Sequence, residues 1–140
     1  MGNHEKNTIQ VTVVTPNETI FDESDIHVVV LHTLSGELGI MHNHVPVVVA
    51  LAIDEMHLTC GDGREEKFAV NGGFAEFSNN HLTIVADSAE KSIDIDTFRA
   101  QKDEKAAQDA LTRAQTAEDR ARAQVLLARA INRMKVSQLK

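Results

Sequence analysis

The spacing of apolar and polar positions changes near residue 93, and the change divides the chain in two. Before it, short apolar runs are punctuated by turn residues. In "TIQVTVVT" Ile9, Val11 and Val13 fall on alternate positions, so they share one face of a strand. "NETIF", "DIHVVVL", "VPVVVALA" and "EMHLTC" follow at short intervals. Asp62-Gly63, inside "CGDGREEKFAV", is a hairpin signal, because a tight turn between strands requires positive φ. "GFAEFSNNHLTIVAD" repeats the form, with Asn79-Asn80 able to adopt that conformation. About nine or ten such strands in ~90 residues predict an all-β sandwich or barrel. The unbroken run "VPVVVALA" predicts a strand covered on both faces.

From Asp96 onward Gly and Pro are absent and Ala, Gln, Arg, Lys and Glu dominate, a helix-forming composition. Asp94 or Asp96 can cap the start, since a carboxylate oxygen accepts the free N–H groups of a first turn. Ala100, Ala107, Leu111 and Ala114 form one stripe at helical spacing; Ala121, Val125 and Ala128 form another. Alanine stripes permit close approach but bury little area, so this part must lean on another surface.

The segment "LTRAQTAEDRARAQ" (Leu111 to Gln124) leaves the number of helices open. Thr116 followed by Asp119 is a capping box with Asp in place of the usual Glu or Gln, which permits a break at 115–116. Such a cap is worth about 1 kcal/mol. Thr inside a straight helix costs only ~0.5 kcal/mol relative to Ala. Local sequence therefore leaves both a bent and a straight form accessible.

Charge adds to the contrast. The net charge is −7, yet residues 1–93 carry 14 acids and 4 bases, whereas residues 94–140 carry 7 acids and 10 bases. The basic half suggests an interaction role. Its bases are interleaved with Asp103, Glu104, Asp109, Glu118 and Asp119 and have only Phe98 for aromatic company, which disfavours nucleic acid. An acidic protein or an anionic small molecule fits better. The N-terminus has no apolar signal core, and no run approaches the roughly 20 residues of a membrane span. One cysteine, Cys60, fits a reducing compartment, and the expected location is cytoplasmic.

No P-loop, dinucleotide-binding spacing or nucleophile elbow is present. Gly72-Gly73 reads as a bend between strands. His42 and His44 in "HNH" have the alternation of half a metal site, but the sequence places no further ligand, and loop histidines are the simpler reading. Cys60 reads as a buried thiol rather than a nucleophile. Arg122, Arg129 and Arg133 fall within about 40° of one another on a helix, with Lys140 on the same line. That ridge is either a solvated face laced with ion pairs or an anion site, since guanidinium forks suit phosphate and carboxylate.

Four segments in order resemble the ε subunits of bacterial F-type ATP synthases: "GELGIMHNHVP" (Gly36 to Pro46), "NGGFAEFSNNHLTIVAD" (Asn71 to Asp87), "IDTFRA" (Ile95 to Ala100) and "ARAINRMKV" (Ala128 to Val136). His42 stands where that family commonly has Pro. The resemblance implies a β-sandwich over residues 1–93 and a helical hairpin over 94–140, with helices at about 96–113 and 117–137. It implies a rotor subunit of the central stalk that couples the γ subunit to the membrane c-ring and performs no chemistry of its own. It places that subunit peripherally on the cytoplasmic side of the cell membrane. The hairpin would act as an ATP-sensitive switch, opening along γ to inhibit ATP hydrolysis.

By position, the resemblance implies a nucleotide site of Glu90, Ile95, Asp96, Arg99, Ala100, Arg129 and Arg133, with ATP as a regulatory ligand and no required cofactor. Asp96 and Glu90 would suit adenine amino or ribose groups, and the arginines the phosphates. Ala106 stands where some ATP-binding members have another Arg, which implies weaker binding. Glu37 and His44 would lie at the interface with the c-ring and γ. Arg122, Arg133 and Lys135 would meet an acidic loop of the catalytic β subunit when the hairpin extends. A free-standing nucleotide-gated sensor is the alternative from another class, and a metal enzyme centred on His42 and His44 a third.

Overall fold

The structure is a computed structural model and describes residues 7–139. Lys140, the last member of the cationic line, lies outside them. Among the described residues nine strands precede two helices: β1 Ile9–Val14, β2 Thr19–Thr33, β3 Gly36–Met41, β4 Val47–Ala50, β5 Ile53–Cys60, β6 Glu65–Asn71, β7 Gly73–Ser78, β8 His81–Ala86 and β9 Ala89–Lys91. A 3-10 turn at Ser92–Asp94 leads to α1, Thr97–Arg113, and α2, Ala117–Ser137. The sheet order is β4-β7-β8-β1-β2-β5-β6-β9, with β3 paired to β2. All pairings between strands are antiparallel except β1 with β8. The sandwich and the pair of helices match the expected fold.

Alternation does what the sequence promised in β1, and β8 alternates as well. Ile9, Val11, Val13, Leu82 and Ile84 are all buried, and with Phe21, Ile26, Phe68 and Phe77 they belong to one core. Asn79 and Asn80 have φ of 52° and 57° and close the β7–β8 hairpin. Gly63 has φ of 91° in the β5–β6 turn. Gly73 is required by close approach: a Cβ there would run into the Val85 carbonyl of β8. It lies where the chain leaves β6 and enters β7 next to β8.

Three readings need correction. "NETIF" and "DIHVVVL" are one fifteen-residue strand, β2, carried past an irregularity where Asp25 takes φ of 62° and the register against β5 slips between Ile26 and Val28. An extra residue bends a strand without ending it. "VPVVVALA" is not covered on both faces: β4 pairs only with β7, and Val48 is 67% exposed. An apolar run cannot report whether a strand lies inside a sheet or at its edge. The second stripe is also displaced, since Ala121, Val125 and Ala128 face solvent.

On α2 the buried positions are Ala123, Ala130, Asn132, Val136 and Ser137. Two contact surfaces produce this pattern. Ala123, Ala130 and Ser137 repeat every seven residues and keep one face of the helix. Asn132 and Val136 lie on roughly the opposite side, against the sandwich. α1 keeps its predicted stripe, with Ala100 and Ala107 buried and Leu111 and Ala114 half-buried. Among the described residues, no helix is long and apolar enough to cross a membrane.

The caps form as read. Asp96 accepts a hydrogen bond from the backbone N–H of Arg99 at 3.2 Å. Thr116 accepts from the N–H of Asp119 at 3.0 Å. α1 ends at Ala114, whose ψ of 128° is extended, and Thr116 at ψ 161° precedes α2. The joint is therefore bent in this conformation.

Candidate functional site

α2 crosses both α1 and the sandwich, and its last turns carry cations toward acids of both. Arg133 is the centre. Its Nε donates to Glu90 Oε1 at 2.6 Å and its Nη2 to Glu90 Oε2 at 3.3 Å, while Nη1 donates to Asp103 Oδ2 at 3.0 Å. One guanidinium thus ties α2 to β9 and to α1. Hydrogen bonding to Glu90 outweighs burial and raises the Arg133 pKa further above its ordinary value. One turn earlier, Arg129 places Nη2 3.9 Å from Asp87 Oδ2, and its buried Nε has no hydrogen-bond partner among the described residues.

These two arginines line a cleft of about 390 Å³ between the helices. Its floor is apolar, made by Ala106, Ala107 and Ala110 of α1 and Leu126 and Ala130 of α2, and Asp103 closes one side. Two cations beside an apolar floor suit an anion that also has an apolar part. The uncharged Ala106 contributes floor only.

The residues expected in the nucleotide site separate into groups. Arg129 and Arg133 line one cleft, and Glu90, which does not line it, pairs with Arg133. Ile95 and Ala100 are fully buried with Ala69 and Val136, so they position the start of α1 rather than present a side chain. Asp96 is occupied as the cap of α1. Arg99 is exposed and does not line the cleft. Arg122 lines an adjoining hollow nearer the hairpin turn with Arg113 and Asp119, sharing Ala110 and Leu126 with the cleft.

Lys135 donates to Asp54 Oδ1 at 2.7 Å, tying α2 to the start of β5. Burial pushes the Asp54 carboxyl up, but the hydrogen bonds from Lys135 and from the Glu55 N–H, with the nearby charges, leave it below its ordinary value. Glu37 lies at the start of β3, paired across the ladder with His32, and His44 lies beyond its other end. Glu37 Oε2 lies 3.4 Å from His32 Nε2, and His32 Nδ1 bonds the Glu55 carbonyl at 2.8 Å. His44 Nδ1 bonds the Val45 carbonyl at 2.7 Å and its ring meets Phe77 edge-on. His42 and His44 lie in a turn, not on a strand, and the described residues contain no group of three metal-ligating side chains.

Cys60 is buried, and burial raises its pKa despite the Arg64 guanidinium, whose Nη2 is 3.3 Å from Sγ. Sequence reasoning missed Asp54, Asp87, Asp103 and Asn132, the partners of the helix cations and of the sandwich. It also missed an outward apolar face on the β4–β7 edge, where Val48 and Phe74 are exposed. Val48 was visible as part of an apolar run; the acids had no local signal.

Residues 8–92 match the family of ATP synthase, Delta/Epsilon chain, beta-sandwich domains, and residues 94–138 match the ATP synthase, Delta/Epsilon chain, long alpha-helix domain. The ATP synthase epsilon chain of Pediococcus pentosaceus is 47% identical over 136 residues, covering 95% of this chain and 97% of that one. That of Levilactobacillus brevis is 44% identical, covering 94% and 96%. In structure, a chain of the Euglena gracilis mitochondrial ATP synthase, solved with its OSCP, F1 and c-ring, superposes with a TM-score of 0.78 at 20% identity, covering 95% of this chain and 82% of that one. A chain from the central stalk and c-ring of the Tetrahymena thermophila mitochondrial enzyme gives 0.69 at 15% identity, covering 95% and 98%. At such identities these two likenesses speak for the fold.

Proposed function

The chain belongs to the ATP synthase epsilon-chain family, and from that premise we propose that it is a non-catalytic rotor subunit whose helical hairpin is an ATP-sensitive switch. The sandwich joins the γ subunit to the c-ring in proton-driven ATP synthesis, on the cytoplasmic side of the membrane. The hairpin, when extended along γ, presents Arg122, Arg133 and Lys135 to an acidic part of the catalytic β subunit and inhibits ATP hydrolysis.

The observation that carries the switch reading is the double use of the cations. In the folded hairpin Arg129, Arg133 and Lys135 are held by Asp87, by Glu90 with Asp103, and by Asp54. Extension would release all three for another acidic surface. An anion in the cleft would hold Arg129 and Arg133 in the folded arrangement. Val48 and Phe74 are exposed on one face of the β4–β7 pair, on either side of Glu76, and leave that face open to a partner.

Titration of ATP into the isolated chain, with helix resonances followed by NMR, tests the switch. Shifts confined to the α1–α2 cleft are expected, and shifts elsewhere or none would overturn it. Co-purification with a membrane ATPase separates the rotor subunit from a free-standing sensor.

A further inference from the structure

We infer that Asn132 is a positioning residue for the hairpin: its side-chain amide latches the last turns of α2 to the sandwich and sets the ratio of docked to extended forms. The inference rests on the switch reading above and adds the element that the switch must break.

Asn132 is 3% exposed. Its Nδ2 donates to the Asp54 carbonyl at 3.0 Å and to the Val70 carbonyl at 3.3 Å, and lies 3.4 Å from Asn71 Oδ1. Asp54 and Val70 are cross-strand partners of β5 and β6, so one amide spans the ladder. Asn71 passes the contact on: its Nδ2 donates to Ser88 Oγ at 2.9 Å, in the turn before β9. Two of the three acceptors are thus backbone carbonyls of paired strands.

The apolar contact beside it is thin. Ala69, Ile95, Ala100 and Val136 form the second core, with Met134 half-buried against it. Two of the four are alanines, so little area is removed from water when the hairpin docks. Where apolar gain is small, directional bonds between buried groups decide which arrangement persists. Arg129, Arg133 and Lys135 flank Asn132 along α2, and their ion pairs are partly solvated.

The acceptor pattern makes the latch testable by one atom. Asn132→Asp replaces the donating NH₂ by oxygen and sets a carboxylate against three acceptors, with nothing to donate. Docking should weaken by roughly ten- to a hundredfold. Asp54→Ala removes the partner of Lys135 but keeps the Asp54 carbonyl, and should shift the ratio severalfold at most.

The experiment uses the full chain with distance labels at Glu76→Cys and Gln124→Cys, both exposed positions, the buried Cys60 being left in place. Asn132→Asp should move the distance distribution toward the extended form, with hydrogen exchange of the sandwich strands unchanged and that of α2 increased. An unchanged distribution overturns the latch, as does a shift from Asp54→Ala that equals or exceeds it. Loss of protection throughout the sandwich makes Asn132 a general core residue and also overturns it. ATP added to the unsubstituted chain separates the two ideas. A distribution that answers to ATP but not to Asn132→Asp leaves the switch and sinks the latch. The reverse leaves the latch and sinks the nucleotide switch.

Discussion

Arg133 meets Glu90 as a fork, with Nε at 2.6 Å and Nη2 at 3.3 Å from the two carboxylate oxygens, although 43 residues separate them in the chain. The pair is only partly exposed, 22% and 35% for the two side chains. With Asp103 on Nη1, three of the five N–H donors of the guanidinium are engaged by carboxylates before any ligand arrives.

A ligand phosphate would share the guanidinium with Asp103 and Glu90 and meet the repulsion of both carboxylates. Losing one charge-assisted contact costs about 1.5–3 kcal/mol. Arg129→Ala or Arg133→Ala is expected to weaken ATP binding by about tenfold to a hundredfold, measured by calorimetry. Asp103→Asn removes a competing charge and should strengthen it severalfold. Equal affinity in all three variants would return the arginines to a solvated, ion-paired face.

Acid should loosen the hairpin through Asp54. Its folded pKa lies below the ordinary carboxylate value, so its contribution is fully present above the unfolded value of about 3.9. That contribution disappears as pH falls through the lower folded value. Asp54→Asn should reduce docking at neutral pH, and the difference from the unsubstituted chain should close as the solution is taken below about pH 4. Distance labels across a pH series are the check; a gap that persists in acid contradicts the assignment.

The sandwich should stand without the helices. Its core of Ile9, Val11, Val29, Leu58, Phe68, Phe77 and Leu82 draws no residue from α1 or α2. Truncation after Asp94 uncovers Ala69 but leaves that core intact. We expect a cooperative unfolding transition, and in the assembled enzyme retained ATP synthesis with loss of the hairpin's inhibition. An unfolded fragment would show that the two parts are one folding unit.

The joint gives the fourth test. Thr116→Ala removes the bond to the Asp119 N–H at 3.0 Å, about 1 kcal/mol, and favours a continuous helix by ~0.5 kcal/mol. The sum, about 1.5 kcal/mol, is roughly a tenfold shift toward extension. Thr116→Gly loses little of the cap and penalises a straight helix by about 1 kcal/mol, so it should not extend the arm. Hydrolysis at low ATP should be more strongly inhibited in the Ala variant alone. Identical hydrolysis rates and label distances in the two variants would mean that docking, not the turn, holds the bend.

What the sequence determined by itself is whatever operates over a few residues. Alternation marked β1, Asn79-Asn80 marked a hairpin, Asp96 and Thr116 marked caps, and the absence of Gly and Pro marked the helices. Each of these depends on groups within one turn or one strand of each other. The tertiary structure decided the rest. It merged two apolar runs into β2, sent the run "VPVVVALA" to an exposed edge, and turned α2 so that Ala123 and Ala130 faced inward instead of Ala121 and Ala128. It also chose the bent joint, which local energies leave nearly balanced. Arg133 with Asp103 spans 30 residues and Lys135 with Asp54 spans 81. Opposite charges carry no address along a chain, so which acid receives which base is settled only when the fold has placed their backbones side by side.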